Sequence, residues 1–124
     1  MKVTPPEPER GDVYICEFGP ERGSEQSGVR PAVVVERSTY ARLASKRQVL
    51  VAPASTSPHL ARLDFCVPVT ARGGTGLRKN SYVNVSHVYS VAKERLQKRI
   101  GKIPDTKMKE IDSALKLIFD LEGE

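Results

Sequence analysis

The sequence predicts a mainly β domain with a C-terminal helix, an α+β fold in which a small antiparallel barrel or strongly curled sheet carries one helix against it. Five or six short apolar runs follow one another between residues 13 and 103, separated by turns rich in glycine, proline and serine. The period then changes. Met108, Ile111, Ala114, Leu115, Ile118 and Phe119 recur at helical spacing, while Lys107, Lys109, Glu110, Asp112, Lys116 and Asp120 fill the opposite face. The size of the chain, 124 residues at 39% hydrophobic and without tryptophan, suits one domain with a modest core and leaves little room for a second.

Residues 1–9, rich in proline and glutamate, read as a loose arm, and residues 10–122 as the domain. Arg10-Gly11-Asp12 opens the first strand, Val13–Phe18, which Gly19-Pro20 ends. This tripeptide is read as the start of a strand and not as a cell-adhesion motif. Glu21–Val29 is a small, polar, glycine-bounded loop, and Pro31–Glu36 a second strand. Ser38–Leu43 forms one helical turn capped by Ser38. Gln48–Ala54 is a third strand that runs into the hydroxyl-rich turn Ser55–His59. Leu63–Val69 is a fourth, placed at an edge or bulge by Pro68. Ala71–Gly76 lacks the spacing of a phosphate-binding loop and reads as a hairpin connection. Tyr82–Val85 and Gln97–Ile103 complete the strands. The helix spans about 104–122, with Pro104 and Asp105 at its start and Gly123 as its stop.

Several function classes drop out. Cys16 and Cys66 lie inside apolar runs, without a CxxC pair or a histidine at ligand spacing, so buried reduced thiols are expected and neither a disulfide nor a metal site. No cofactor is expected. No apolar stretch approaches bilayer length and the first residues lack the apolar core of a signal peptide, which predicts a soluble cytoplasmic protein. The formal net charge of +5 is compatible with a polyanionic partner but does not by itself identify one.

The chemistry concentrates where loop meets strand. Pro31 removes a backbone donor and biases Arg30 towards extended geometry, so Arg30 stands at the rim of a rigid strand beside the loop that holds Glu25 and Gln26. A planar guanidinium matches a phosphate, and a hydroxyl such as that of Ser55 or Thr56 adds one directed hydrogen bond. RNA carries its own nucleophile, the 2′-hydroxyl, so cleaving it mainly requires orientation and stabilisation of developing charge.

These residues fall in a recognisable pattern. Arg10-Gly11-Asp12-Val13-Tyr14, then Gly23-Ser24-Glu25-Gln26-Ser27-Gly28-Val29-Arg30-Pro31 running into Ala32–Val35, resembles the MazF/PemK family of toxin endoribonucleases. Val49–Thr56, Tyr82–His87 and the stretch from Arg95-Leu96 to Phe119 extend the resemblance over nearly everything but the arm. It implies an SH3-like barrel, a homodimer, and metal-independent, sequence-selective cleavage of single-stranded RNA to 2′,3′-cyclic phosphate and 5′-hydroxyl ends. It also implies an acidic cognate antitoxin that occupies the RNA groove. Carried over by position, Arg30 matches the catalytic arginine and Ser55 falls where the family usually has threonine. Glu25 and Gln26 match loop residues that affect activity or substrate binding.

Near Ser86, where some relatives carry an aspartate proposed as the base, no carboxylate stands, and His87 follows where glutamine is common. Histidine titrates at about 6.5 when unperturbed, so His87 is open to a role as base or RNA contact as well as to the structural or dimer-interface role favoured here. His59 is a candidate for stacking on RNA or a solvent-exposed loop residue. The ending Leu121-Glu122-Gly123-Glu124 and the absence of tryptophan argue against a gyrase-poisoning toxin of the CcdB type. A non-catalytic or degenerate barrel that binds RNA or antitoxin without turnover is the alternative.

Overall fold

A computed structural model of the chain describes residues 7–19 and 28–121. Its centre is three antiparallel strands, β1 (Asp12–Glu17), β2 (Val29–Val34) and β3 (Gln48–Ser55). Residues of β1 and β2 alternate between two apolar faces, so both faces must be covered. Two buried clusters show how this is done. Tyr14, Cys16, Ala32, Val34 and Val51 pack on one face with Ala41, Val49, Val91 and Leu96. Val13, Val33, Val35, Ala52 and Ala54 pack on the other with Val67, Val69, Val83, Ile103 and the helix residues Met108, Ile111 and Ala114.

The first cluster is wrapped by the sheet itself. β6 (Tyr89–Ala92) pairs with the first half of β3, β7 (Leu96–Lys102) pairs with β1, and a single 3₁₀ turn, Lys93–Arg95, joins the two. The order β6-β3-β2-β1-β7 thus curls its ends around one core. The second cluster is covered by the hairpin β4 (Cys66–Val69) and β5 (Ser81–Asn84), with β5 paired to the end of β3, and by α2 (Asp105–Phe119). The result is the mainly β, helix-backed fold read from the sequence, curled like a barrel without closing into a continuous hydrogen-bonded ring. β4 ends the strand order, which is the edge position that Pro68 requires.

Four local expectations are corrected. A strand, β6, occupies Tyr89–Ala92, where none was expected; only Val91 of its four residues is buried, too short a pattern to register as alternation. The fourth strand starts at Cys66 and not Leu63, because Pro58–Arg62 forms a 3₁₀ turn that continues through Leu63 N–H donating to the Leu60 carbonyl. The helical turn α1 (Ser38–Ala41) starts from Arg37 without a side-chain cap, since the Ser38 hydroxyl accepts from the Arg10 N–H at 2.8 Å instead. Finally, α2 stops at Asp120, which turns left-handed at φ 56°, while Gly123 lies outside the described residues. The apolar stripe also overruns its support: Met108, Ile111 and Ala114 are buried, but Ile118 and Phe119 are exposed together with Leu117 and Leu121.

The tripeptide at the start of β1 is fully used by the fold. Arg10 donates to the Val35 carbonyl and pairs with Asp112 at 2.6 Å, tying α2 to the end of β2. Gly11 adopts φ 94°, and the buried Asp12 accepts from Glu9 N–H at 2.8 Å and from Arg99 at 3.0 Å. Residues 1–6 of the expected arm lie outside the described residues.

Both thiols are free and buried, as expected from the sequence. Burial pushes the Cys16 thiol up from 9.0 to about 11, the nearby Arg95 opposing and Glu17 adding to the rise, and burial raises Cys66 as well. The folded state therefore holds these protons more tightly than the unfolded chain. Stability is fully present below pH 9 and is lost as pH climbs towards 11, by up to about 2–3 kcal/mol for Cys16. Urea unfolding at stepped pH checks this, with Cys16→Ala giving a shallower alkaline loss.

One crossing closes the outer layer. The β4–β5 connection lies directly on β7, with Lys102 N–H donating to the Gly74 carbonyl at 2.9 Å. A Cβ at Gly76 would collide with the Ile100 carbonyl, and one at Gly101 with the backbone of Gly74 and Thr75. Gly101→Ala is expected to destabilise by about 2 kcal/mol or more through forced backbone displacement. Gly74→Ala, with open space around it, should cost only its left-handed conformation, about 1–2 kcal/mol. Chemical denaturation of the two variants separates these cases.

Candidate functional site

The pairing of β2 with β3 brings Arg30 and Ser55 to the same end of the curled sheet. On β2, Arg30 alternates with Ala32 and Val34, which face the inner core. On β3, Ser55 alternates with Pro53 and Val51 on that same face. Ala32 pairs with Pro53 and Val34 with Val51, and the pairing ends there, with Arg30 two residues beyond on β2 and Ser55 two residues beyond on β3. The cation and the hydroxyl therefore stand at the same end of two neighbouring strands.

The same parity adds neighbours. Cys16 pairs with Arg30, and Phe18 continues the Tyr14–Cys16 column outward, its N–H donating to the Gly28 carbonyl at 2.8 Å. Tyr82 pairs with Ser55 from β5. Tyr89 pairs with Val51, and His87 lies two residues outward from it, at the place where β3 changes partner from β6 to β5. The aromatic rings meet edge to face, Phe18 with Tyr89 at 5.5 Å and His87 with Tyr89 at 6.1 Å between centroids. Arg95 reaches the Glu17 carbonyl at 3.5 Å, which adds a cation beside β1. Phe18, Tyr82 and Tyr89 were not singled out from the sequence as site residues. Their signal was present only as strand alternation, which becomes informative once the pairing is known.

Ser55 is held from below. Its Oγ accepts from Ser57 N–H at 3.2 Å, which fixes the hydroxyl oxygen without using its proton. Serine lacks the methyl group that would restrict its rotamer, and this turn supplies a restriction in its place. Ser57 Oγ in turn lies 2.8 Å from His59 Nδ1. Thr56 and His59 are both exposed on this turn. Ser86 N–H and Oγ both donate to Asn84 Oδ1, so the turn before His87 is closed by its own side chains. Arg30 is exposed, and its loop partners Glu25 and Gln26 lie outside the described residues. Among the described residues, no three His, Cys, Asp or Glu side chains converge as a metal site.

Comparison with known proteins places this geometry. The family described as PemK-like, MazF-like toxin of type II toxin–antitoxin system matches residues 9–119. An endoribonuclease MazF from Staphylococcus saprophyticus is 30% identical over 112 residues, covering 90% of this chain and 91% of that protein. An endoribonuclease in complex with its cognate antitoxin, from a mycobacterial species, superposes with a TM-score of 0.76 at 22% identity, covering 94% of this chain and 99% of that one. A MazF from Deinococcus radiodurans gives a TM-score of 0.74 at 22% identity, covering 91% and 96%. Sequence match and fold agree over the same span, and the chain belongs to the PemK/MazF family of endoribonuclease toxins of type II toxin–antitoxin systems.

Proposed function

We propose that the mouth at the end of β2 and β3 binds single-stranded RNA in the cytoplasm and cleaves it without a metal ion. The 2′-hydroxyl attacks the adjacent phosphorus, and the products are a 2′,3′-cyclic phosphate and a 5′-hydroxyl. The observation that carries this reading is that Arg30 and Ser55 stand at the same end of the paired strands β2 and β3, each two residues beyond the last pair, Ala32–Pro53. The Arg30 guanidinium binds the non-bridging oxygens and stabilises the extra negative charge of the phosphorane. Ser55, its oxygen already accepting from Ser57, directs its hydroxyl proton at a phosphoryl oxygen. Glu25, Gln26, Thr56, His59 and His87 contact the RNA on either side of the scissile phosphate.

Residues 10–122 form the working domain. It pairs with a second copy of itself, and the exposed Leu117, Phe119 and Leu121 at the end of α2 supply apolar area for that contact. An acidic antitoxin that covers the basic mouth silences it.

Purified protein incubated with a long single-stranded RNA in EDTA tests the chemistry. Wild type is expected to produce cyclic phosphate ends. Arg30→Ala is expected to lower the rate by about 10²–10³-fold, the scale for removing one donor to a developing oxyanion, with folding retained. Ser55→Ala should lower it less and Ser55→Thr should preserve it. Folded wild-type protein that binds the RNA without cutting it would instead establish the non-catalytic reading. For the dimer, light scattering should give twice the monomer mass, reduced to one chain by Phe119→Glu.

A further inference from the structure

We propose that Tyr89, backed by Phe18 and accompanied by Arg95, stacks an unpaired base of the RNA beside the phosphate that Arg30 holds, a subsite that rests on the RNA-binding reading above. The contacts that place it run through β1. Cys16 is paired with Arg30, and the ladder continues outward from there: Glu17 is paired with Val29, and Phe18 N–H donates to the Gly28 carbonyl at 2.8 Å. Phe18 is therefore the diagonal neighbour of Arg30 across the β1–β2 pair, a separation of about 7–8 Å that an aromatic ring and a long side chain can bridge. Phe18 packs on the core that contains Cys16 and Ala32, which fixes its face, and its ring meets that of Tyr89 at 5.5 Å between centroids.

Burial separates these rings from the core below them. Tyr14 and Cys16 on β1 and Val91 on β6 are buried, whereas Phe18 and Tyr89, farther out on the same columns, are half-buried. Each ring rests on apolar side chains and still keeps area in contact with water. Tyr89 also meets His87 edge to face at 6.1 Å, so its ring is held by two others. A ring already ordered in this way gives up little rotamer freedom when a ligand covers it.

Two cations accompany the rings. Arg30 is the diagonal neighbour of Phe18, and Arg95 Nη1 lies 3.5 Å from the Glu17 carbonyl and 3.5 Å from where a Cβ on Gly19 would stand, alongside the backbone on either side of Phe18. The Glu17 carboxylate alternates to the opposite face of β1. Aromatic rings beside guanidinium groups match a single nucleic-acid strand, whose bases offer π-faces and whose phosphates recur at every nucleotide. A duplex keeps those faces inside its own stack. No bond forms or breaks at this subsite; a base seated on Tyr89 fixes the register of the strand and so selects which phosphodiester meets Arg30 and Ser55.

Fluorescence anisotropy with a short single-stranded RNA carrying a 2′-deoxy sugar at the cleaved position tests this, the intact strand being compared with strands made abasic at one nucleotide at a time. Tyr89→Leu, which keeps an apolar side chain over the core, should weaken binding of the intact strand about 5- to 100-fold, and Tyr89→Phe should bind as wild type does. At one nucleotide next to the cleaved bond, removing the base should weaken wild type by a similar factor and leave Tyr89→Leu unchanged. Arg95→Gln should flatten the slope of log affinity against log salt by about 0.7, the share of one phosphate contact on a single strand. Wild-type affinity in Tyr89→Leu overturns the assignment. So does a loss in that variant that adds to the loss at every abasic position alike, which marks damage to the core and not a missing stack. A wild type that binds no single-stranded RNA overturns the RNA reading itself and the subsite with it.

Discussion

Everything in this structure depends on the shared register of β1, β2 and β3. Both faces of these strands are buried, so a slip by one residue would send Val33 and Ala52 into the inner core and Ala32 and Val51 out of it. That constraint reaches past the core. It sets Arg30 and Ser55 at the same end of β2 and β3, each two residues beyond the last pair. Polar residues at the ends of apolar columns thus emerge at one mouth as a by-product of packing.

A second set of interactions keeps the columns in place. Arg10 joins the end of β2 and α2 through its side chain and α1 through its backbone N–H, and Asp12 ties the start of β1 to β7 through Arg99. Asp12 is buried, so removing Arg99 would leave its carboxylate in a poor environment for a lone charge. On the opposite side, the contact of glycines 76 and 101 across the β4–β5 connection and β7 admits no side chain. The mouth itself is held more lightly. Ser55 depends on a single backbone donor from Ser57, which suits a hydroxyl that must also meet a phosphate.

Much of this was legible in the sequence. Alternation and turn residues located β1, β2 and β3, Pro68 marked an edge, and the change of period located α2. Arg30 and Ser55 were nominated from residue type and motif, but their place at the same end of two paired strands was not readable, because register is a property of two strands and appears in neither alone. β6 escaped because four residues with one buried side chain carry no clear period. Ser38 looked like a cap because its hydroxyl partner, Arg10, lies 28 positions away. The aromatic neighbours Phe18 and Tyr89 carried no signal in the sequence for the same reason: they are 71 positions apart and meet only when the sheet curls.

The central claim is that one mouth, built by that register, receives the RNA. The most direct measurement is an amide NMR titration with a short single-stranded RNA carrying a 2′-deoxy sugar at the cleaved position, which binds without turnover. The account predicts the largest perturbations at Gly28–Arg30, Ser55–Ser57 and His87–Tyr89, three segments far apart in sequence. Perturbations confined to α2 and β7, with these three segments unmoved, would contradict it.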